Sequence, residues 1–103
     1  MLKIKPKDTF KAKVGLSVPG SEKLEVISVE YRHLSRSALQ EYYAGLKGKT
    51  DAEGLAEIMR GWDGPDAAYS PESLQELLDN YPASAGELYE SFRAELVESK
   101  RKN

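Results

Sequence analysis

The sequence predicts an α+β domain, an N-terminal antiparallel β-hairpin followed by about four helices, and three observations carry that expectation. Apolar residues alternate with polar ones from Phe10 to Val18, and a second run rich in β-branched residues follows a Pro-Gly pair. Beyond Leu34 the apolar spacing changes from two to about 3.6 and stays there. Capping residues then punctuate the chain at Ser35, Thr50, Ser70 and Ser84, one before each apolar stripe. Strands first and helices after, segregated along the chain, is the α+β pattern.

Phe10, Ala12, Val14, Leu16 and Val18 form one face of a half-buried first strand, and Lys11, Lys13, Gly15 and Ser17 form the other. Pro19 presets φ and Gly20 accepts the positive φ that a type II turn demands. Leu24, Val26, Ile27, Val29 and Tyr31 make the second strand, where the adjacent apolar pair Val26-Ile27 calls for a bulge or for burial on both faces. The first helix carries Leu39, Tyr42, Tyr43 and Leu46. Ser35 is its N-cap, Leu34 and Leu39 form a hydrophobic staple, and Gly45, Gly48 and Lys49 close it. Thr50-Asp51-Ala52-Glu53 is a capping box for a second helix with Leu55, Ile58, Met59 and Trp62 as its stripe and Gly61 near its end. Asp63-Gly64-Pro65-Asp66 is loop chemistry. Ser70-Pro71-Glu72 then starts a third helix bearing Leu74, Leu77, Leu78 and Tyr81. Pro82 breaks it, Ser84 to Glu87 caps again, and Leu88, Tyr89, Phe92 and Leu96 line a last helix that runs into a basic tail.

At 103 residues the chain holds one domain, 1–103, with short basic ends at 1–7 and 99–103. Apolar residues at 40% and charged residues at 31% belong to a folded, water-soluble chain. The net charge of −2 conceals an uneven spread. Residues 1–13 carry five lysines against Asp8, whereas over 51–98 only Arg60 and Arg93 oppose twelve acidic residues. An acidic body repels phosphate, so nucleic acid is not an expected partner. The absence of cysteine removes disulfides, thiolate metal sites and cysteine nucleophiles. Charges interrupt the first residues where a signal peptide needs an apolar stretch, and no run approaches the length of a membrane span, so the expected location is the cytoplasm, without membrane contact.

Chemistry is hard to seat on these residues. His33 stands alone, without a second His or any Cys to complete a zinc set, and reads as structural or solvent-exposed. Gly48-Lys49-Thr50 resembles the end of a phosphate loop, but Tyr43 holds the position of its first glycine and a helix precedes it. Asp63 and Asp66 lack calcium-loop spacing. Nearly all the carboxylates fall on the polar sides of amphipathic helices, which reads as solvated faces. No catalytic, metal, cofactor or small-molecule site is therefore expected. Aromatic residues are better candidates for function. Adjacent Tyr42 and Tyr43 cannot both face one interior, so one of them is a candidate partner contact. Trp62, ending an apolar stripe, is expected as a structural anchor in the core between the second and third helices. The two strands of a lone hairpin are both edges. Lysines guard the first, so Val29 and Tyr31 on the second become candidate contacts for self-association into a homo-oligomer.

The stretch Glu57-Ile58-Met59-Arg60-Gly61-Trp62-Asp63-Gly64-Pro65-Asp66, followed by Tyr69-Ser70-Pro71-Glu72-Ser73-Leu74-Gln75-Glu76-Leu77-Leu78, Tyr81-Pro82 and a last helix ending in Lys102-Asn103, resembles the tail assembly chaperones of long-tailed bacteriophages and prophages. Tyr31-Arg32-His33-Leu34-Ser35-Arg36 extends the likeness upstream across nearly the whole chain. Pro65, in place of the family's usual aliphatic residue, and a short loop from Asp66 to Ser70 depart from the pattern. The resemblance implies a non-enzymatic protein of the host cytoplasm that binds the tape measure protein, keeps it soluble, helps recruit tail tube subunits and is absent from the finished virion. An acidic regulator that mimics a phosphate surface for a basic host protein is the alternative that the charge distribution allows.

Overall fold

The computed structural model describes residues 1–98, so the basic end expected at 99–103 lies outside the described residues. Three strands and four helices follow in the order β1 (Thr9–Leu16), β2 (Glu25–Arg32), α1 (Arg36–Ala44), α2 (Asp51–Ile58), β3 (Met59–Asp63), α3 (Pro71–Asn80) and α4 (Ser84–Val97). The α+β expectation holds, with a strand more than the hairpin supplied.

Local signals act where they stand. Ser21 donates its N–H to the Val18 carbonyl at 3.0 Å across Pro19-Gly20, and Gly20 has φ +85°, the geometry of a type II turn. Ser35 caps α1 by accepting from the Ala38 N–H, and Thr50 and Glu53 form the reciprocal capping box of α2. Ser70 caps α3 ahead of Pro71, with Ser73 closing a second box. Ser84 is a correction: it is the first residue of α4 and Ala83 is the cap position, while the buried Ser84 hydroxyl donates to the Tyr81 carbonyl at 2.7 Å.

The sheet runs β1-β2-β3, antiparallel throughout. Ile27, Val29 and Tyr31 point inward from β2 beside Val14, Ala12 and Phe10 of β1. Neither reading of Val26-Ile27 applies. The β1–β2 register passes through without a shift, and Val26 is simply 62% exposed on the outer face. The irregularity falls instead between Glu30 and Tyr31 on the β3 side, where Arg60 is the extra residue.

The helices cover the inner face of the sheet. Leu55, Ile58, Leu74, Leu88 and Phe92 are fully buried against Val29, Tyr31 and Met59. Phe10, Tyr31 and Phe92 form an aromatic cluster with ring centroids 5.4 to 6.1 Å apart, and the Tyr31 hydroxyl satisfies itself on the Leu88 carbonyl at 2.8 Å.

The third strand revises the expected second helix, which ends at Ile58. Met59 to Asp63 turn extended and pair with Ser28 to Tyr31. Gly61 is a poor helix former, and the open edge of β2 offers backbone partners that a last helical turn would forgo. Trp62 thus sits on β3 rather than between two helices. It is half-buried opposite Val29, its ring edge-on to Tyr69 at 5.2 Å, its Nε1–H donating to the Ala67 carbonyl at 2.8 Å. Gly64 follows with φ +126°, so close to Ile27 that a β-carbon there would stand 3.0 Å from Ile27 Cγ2. The Gly-Trp-Asp-Gly run is a strand end and a tight turn against the sheet.

Candidate partner-binding surface

β2 lies at the centre of the sheet, so its edges are both taken. Val29 and Tyr31 are 0% exposed and belong to the core. They are corrected as contacts: no partner strand can reach them while β3 occupies that side. The sheet's two outward edges belong to β1 and β3. The His33 N–H bonds the Asp8 carbonyl at 2.8 Å, which sets the phase of the antiparallel ladder: even-numbered residues of β1 bond to β2, and Lys11, Lys13 and Gly15 direct their backbone groups away from the sheet. Ser17, next in that outward series, gives its N–H to both carboxylate oxygens of Glu87 at 3.0 and 3.1 Å and its hydroxyl to the same carboxylate. This ties the end of β1 to the first turn of α4.

Between that tie and Lys13 a groove of about 550 Å³ separates the β1 edge from α4. Its helical wall consists of small residues, Ala83, Gly86, Ser91 and Ala94, with Glu87 and Glu90 above. A second groove of about 420 Å³ lies on the other side of α4, lined by Tyr43, Leu46 and Tyr89 and flanked by Lys49 and Arg93. Gly86 and Glu90 line both grooves, so α4 forms a low ridge between them. A β-carbon added at Gly86 would meet nothing within 4 Å.

The tyrosine pair divides as adjacency requires. Tyr42 turns in, 9% exposed, donating to the Gly54 carbonyl at 2.7 Å and meeting Phe92 edge-on at 6.2 Å. Tyr43 turns out, 42% exposed, into the second groove. Burial is the first cause that holds the Tyr42 phenol protonated far above the ordinary tyrosine range, and the neighbouring Tyr89 hydroxyl pushes the same way. Burial also raises Tyr89. Its hydroxyl rests where a side chain on Gly54 would stand. Arg93 donates to Glu90 and bonds Glu98 at 2.8 Å, and its hydrogen bond holds the Glu90 carboxyl below the usual carboxylate range. The ridge therefore carries a fixed ion pair beside apolar and aromatic walls.

Sequence reasoning reached Tyr43 through the adjacency argument but missed Gly86, Tyr89 and the β1 edge. Small residues at positions 83, 86 and 94 were visible in the sequence, but their facing a strand edge is a tertiary fact. Among the described residues no group of three or more His, Asp or Glu could hold a metal ion, and no helix is long and apolar enough to cross a membrane. The surface offers shape, backbone groups and rings, which is equipment for holding a polypeptide.

No curated protein and no solved structure matches the chain. The family model of the phage tail assembly chaperones matches residues 1–103, the whole chain, and the protein belongs to that family.

Proposed function

We propose that the chain binds the tape measure protein through the α4 ridge and its two grooves, keeps that client soluble while tail tube subunits assemble on it, and catalyses no reaction. It works in the cytoplasm of the host cell and leaves before the virion is complete. One observation carries the reading: a ridge of small residues, with Gly86 at its crest, stands between an aromatic groove and a strand edge. A long helical client with an apolar face needs close backbone approach and anchoring rings. Gly86 permits the first, and Tyr43 and Tyr89 supply the second. The acidic helical half keeps the loaded complex dispersed.

The test is co-expression with the tape measure protein and capture through a tag on the client. Gly86→Leu places a side chain on the crest of a helix where it meets no neighbour, and leucine is the better helix former by up to about 1 kcal/mol, so the fold persists. Capture should fall about tenfold or more while the melting temperature stays level or rises. Equal capture by Gly86→Leu and the wild type overturns the assignment of the surface.

A further inference from the structure

One end of the sheet gathers cations from three places in the sequence. A cleft of about 600 Å³, lined by Lys5, Lys7, Arg32, His33, Ser35 and Arg60, lies where the N-terminal segment, the end of β2, the start of α1 and the β3 bulge meet. Asp8 is the acidic residue at its wall. The arrangement is built rather than incidental. The His33 N–H holds the Asp8 carbonyl and so straps the lysine segment to the sheet. Arg32 is held through Nη1 on the Glu57 carbonyl at 3.2 Å. The bulge between Glu30 and Tyr31 makes Arg60 the extra residue at this end. Among the described residues none of Lys5, Lys7, Arg32 or Arg60 forms an ion pair, whereas Lys49 and Arg93 elsewhere do. The positive end of the α1 dipole adds to the field, with no acidic residue in its first turn to offset it.

We propose that this cleft binds an acidic peptide segment of a partner protein, its carboxylates paired with Lys5, Lys7, Arg32 and Arg60. Charge complementarity selects the ligand, and three features select the class. The cleft is a confined positive zone on a chain of net charge −2, so an extended polyanion would run onto repelling surface while a short acidic segment stays within the zone. No Phe, Tyr or Trp among the described residues lines it, which leaves bases nothing to stack on. In a second copy of the chain no two acidic residues adjoin in sequence, and the seven off the helices, among them Glu22, Glu25, Asp63 and Asp66, stand singly on strands and loops of the folded body, so it offers no extended acidic segment to pair with four cations. The cleft shares no lining residue with the α4 grooves, so it is a separate site, and its test does not depend on the tape measure reading.

The experiment follows backbone amide chemical shifts of the full chain while hexaglutamate is added at low salt, and again at about 0.15 M salt, where the Debye length has fallen to about 8 Å. The expected result is shift changes centred on Lys7, His33 and Arg60, and binding weakened about tenfold by the added salt. The double variant Lys7→Ala with Arg60→Ala removes two exposed side chains that make no hydrogen bond or ion pair among the described residues, and should lose about tenfold or more in affinity at an unchanged melting temperature. Absence of shifts at low salt, or equal binding by the double variant, overturns the site. An oligonucleotide of the same charge binding there as tightly overturns the ligand class. Concentration-dependent self-association in sedimentation, abolished by the double variant, overturns the choice of a foreign peptide in favour of a second copy.

Discussion

Gly54→Ala tests how α2 is locked to α1 and α4. Alanine is the better residue in a helix by about 0.8–1.0 kcal/mol, so on propensity alone the change stabilises. The structure reverses the sign. A β-carbon at Gly54 falls on the Tyr89 hydroxyl, well inside any permitted contact, and 2.8 Å from Leu46 Cδ2. The helix cannot slide away, because the Gly54 carbonyl accepts the 2.7 Å hydrogen bond from the buried Tyr42. Overpacking of this kind costs about 1–3 kcal/mol, and with two neighbours to displace the upper part of that range applies. The net expectation is a loss of about 1–2 kcal/mol, which lowers the melting temperature of a domain this size by about 5–15 °C. Urea denaturation of a double-mutant cycle isolates the cause. Tyr89→Phe removes the offending hydroxyl and leaves the nearest ring carbon, Cζ, at an ordinary 3.5 Å. Gly54→Ala should therefore cost about 1 kcal/mol less in the Tyr89→Phe background than in the wild type. A higher melting temperature for Gly54→Ala alone, or effects that simply add, would refute the packing of Tyr89 on α2.

Trp62→Ala should cost about 2–3 kcal/mol by urea denaturation, less than the roughly 3–5 typical of a fully buried Trp, because the ring is half-exposed but loses both Tyr69 and the Ala67 carbonyl. Trp62→Phe should recover most of that, and unchanged stability in Trp62→Ala would mean the ring does not anchor β3. Alkaline conditions should unfold the chain by way of its tyrosines. Burial raises Tyr31 far above the ordinary 10.0, with Tyr42 raised for the same first reason, so above about pH 10 the unfolded state releases protons that the folded state keeps. Stability present below pH 10 is lost as pH rises, by about 1.4 kcal/mol per pH unit for each such tyrosine. Denaturation midpoints measured from about pH 9 to 11.5 should fall accordingly, and Tyr31→Phe should flatten the slope while lowering stability at neutral pH through the lost bond to Leu88. A midpoint independent of pH across that span counts against buried, neutral phenols.

Features whose cause lies within a few residues were determined by the sequence itself. Pro19-Gly20 turns because one residue presets φ and the next tolerates +85°. Ser35, Thr50 and Ser70 start helices because their oxygens reach N–H groups three residues on. The family resemblance was legible for a related reason: Gly61-Trp62-Asp63-Gly64 is punctuation, and Gly64 is required where the chain presses on Ile27. What the tertiary structure decided depends on partners distant in sequence. Met59 and Trp62 continue the apolar spacing of α2, yet they fall on β3 because the unpaired edge of β2, some thirty residues earlier, supplies that segment's hydrogen bonds. That strand buries Val29 and Tyr31, which a two-stranded hairpin would have left beside an open edge. Adjacency required Tyr42 and Tyr43 to part, but only the Gly54 carbonyl and Phe92 settle which one goes inward. The ridge of α4 and the basic cleft are likewise juxtapositions: Gly86 beside Gly15, Lys7 beside Arg60. Spacing along a chain reports which face a residue occupies, and only packing reports what that face meets.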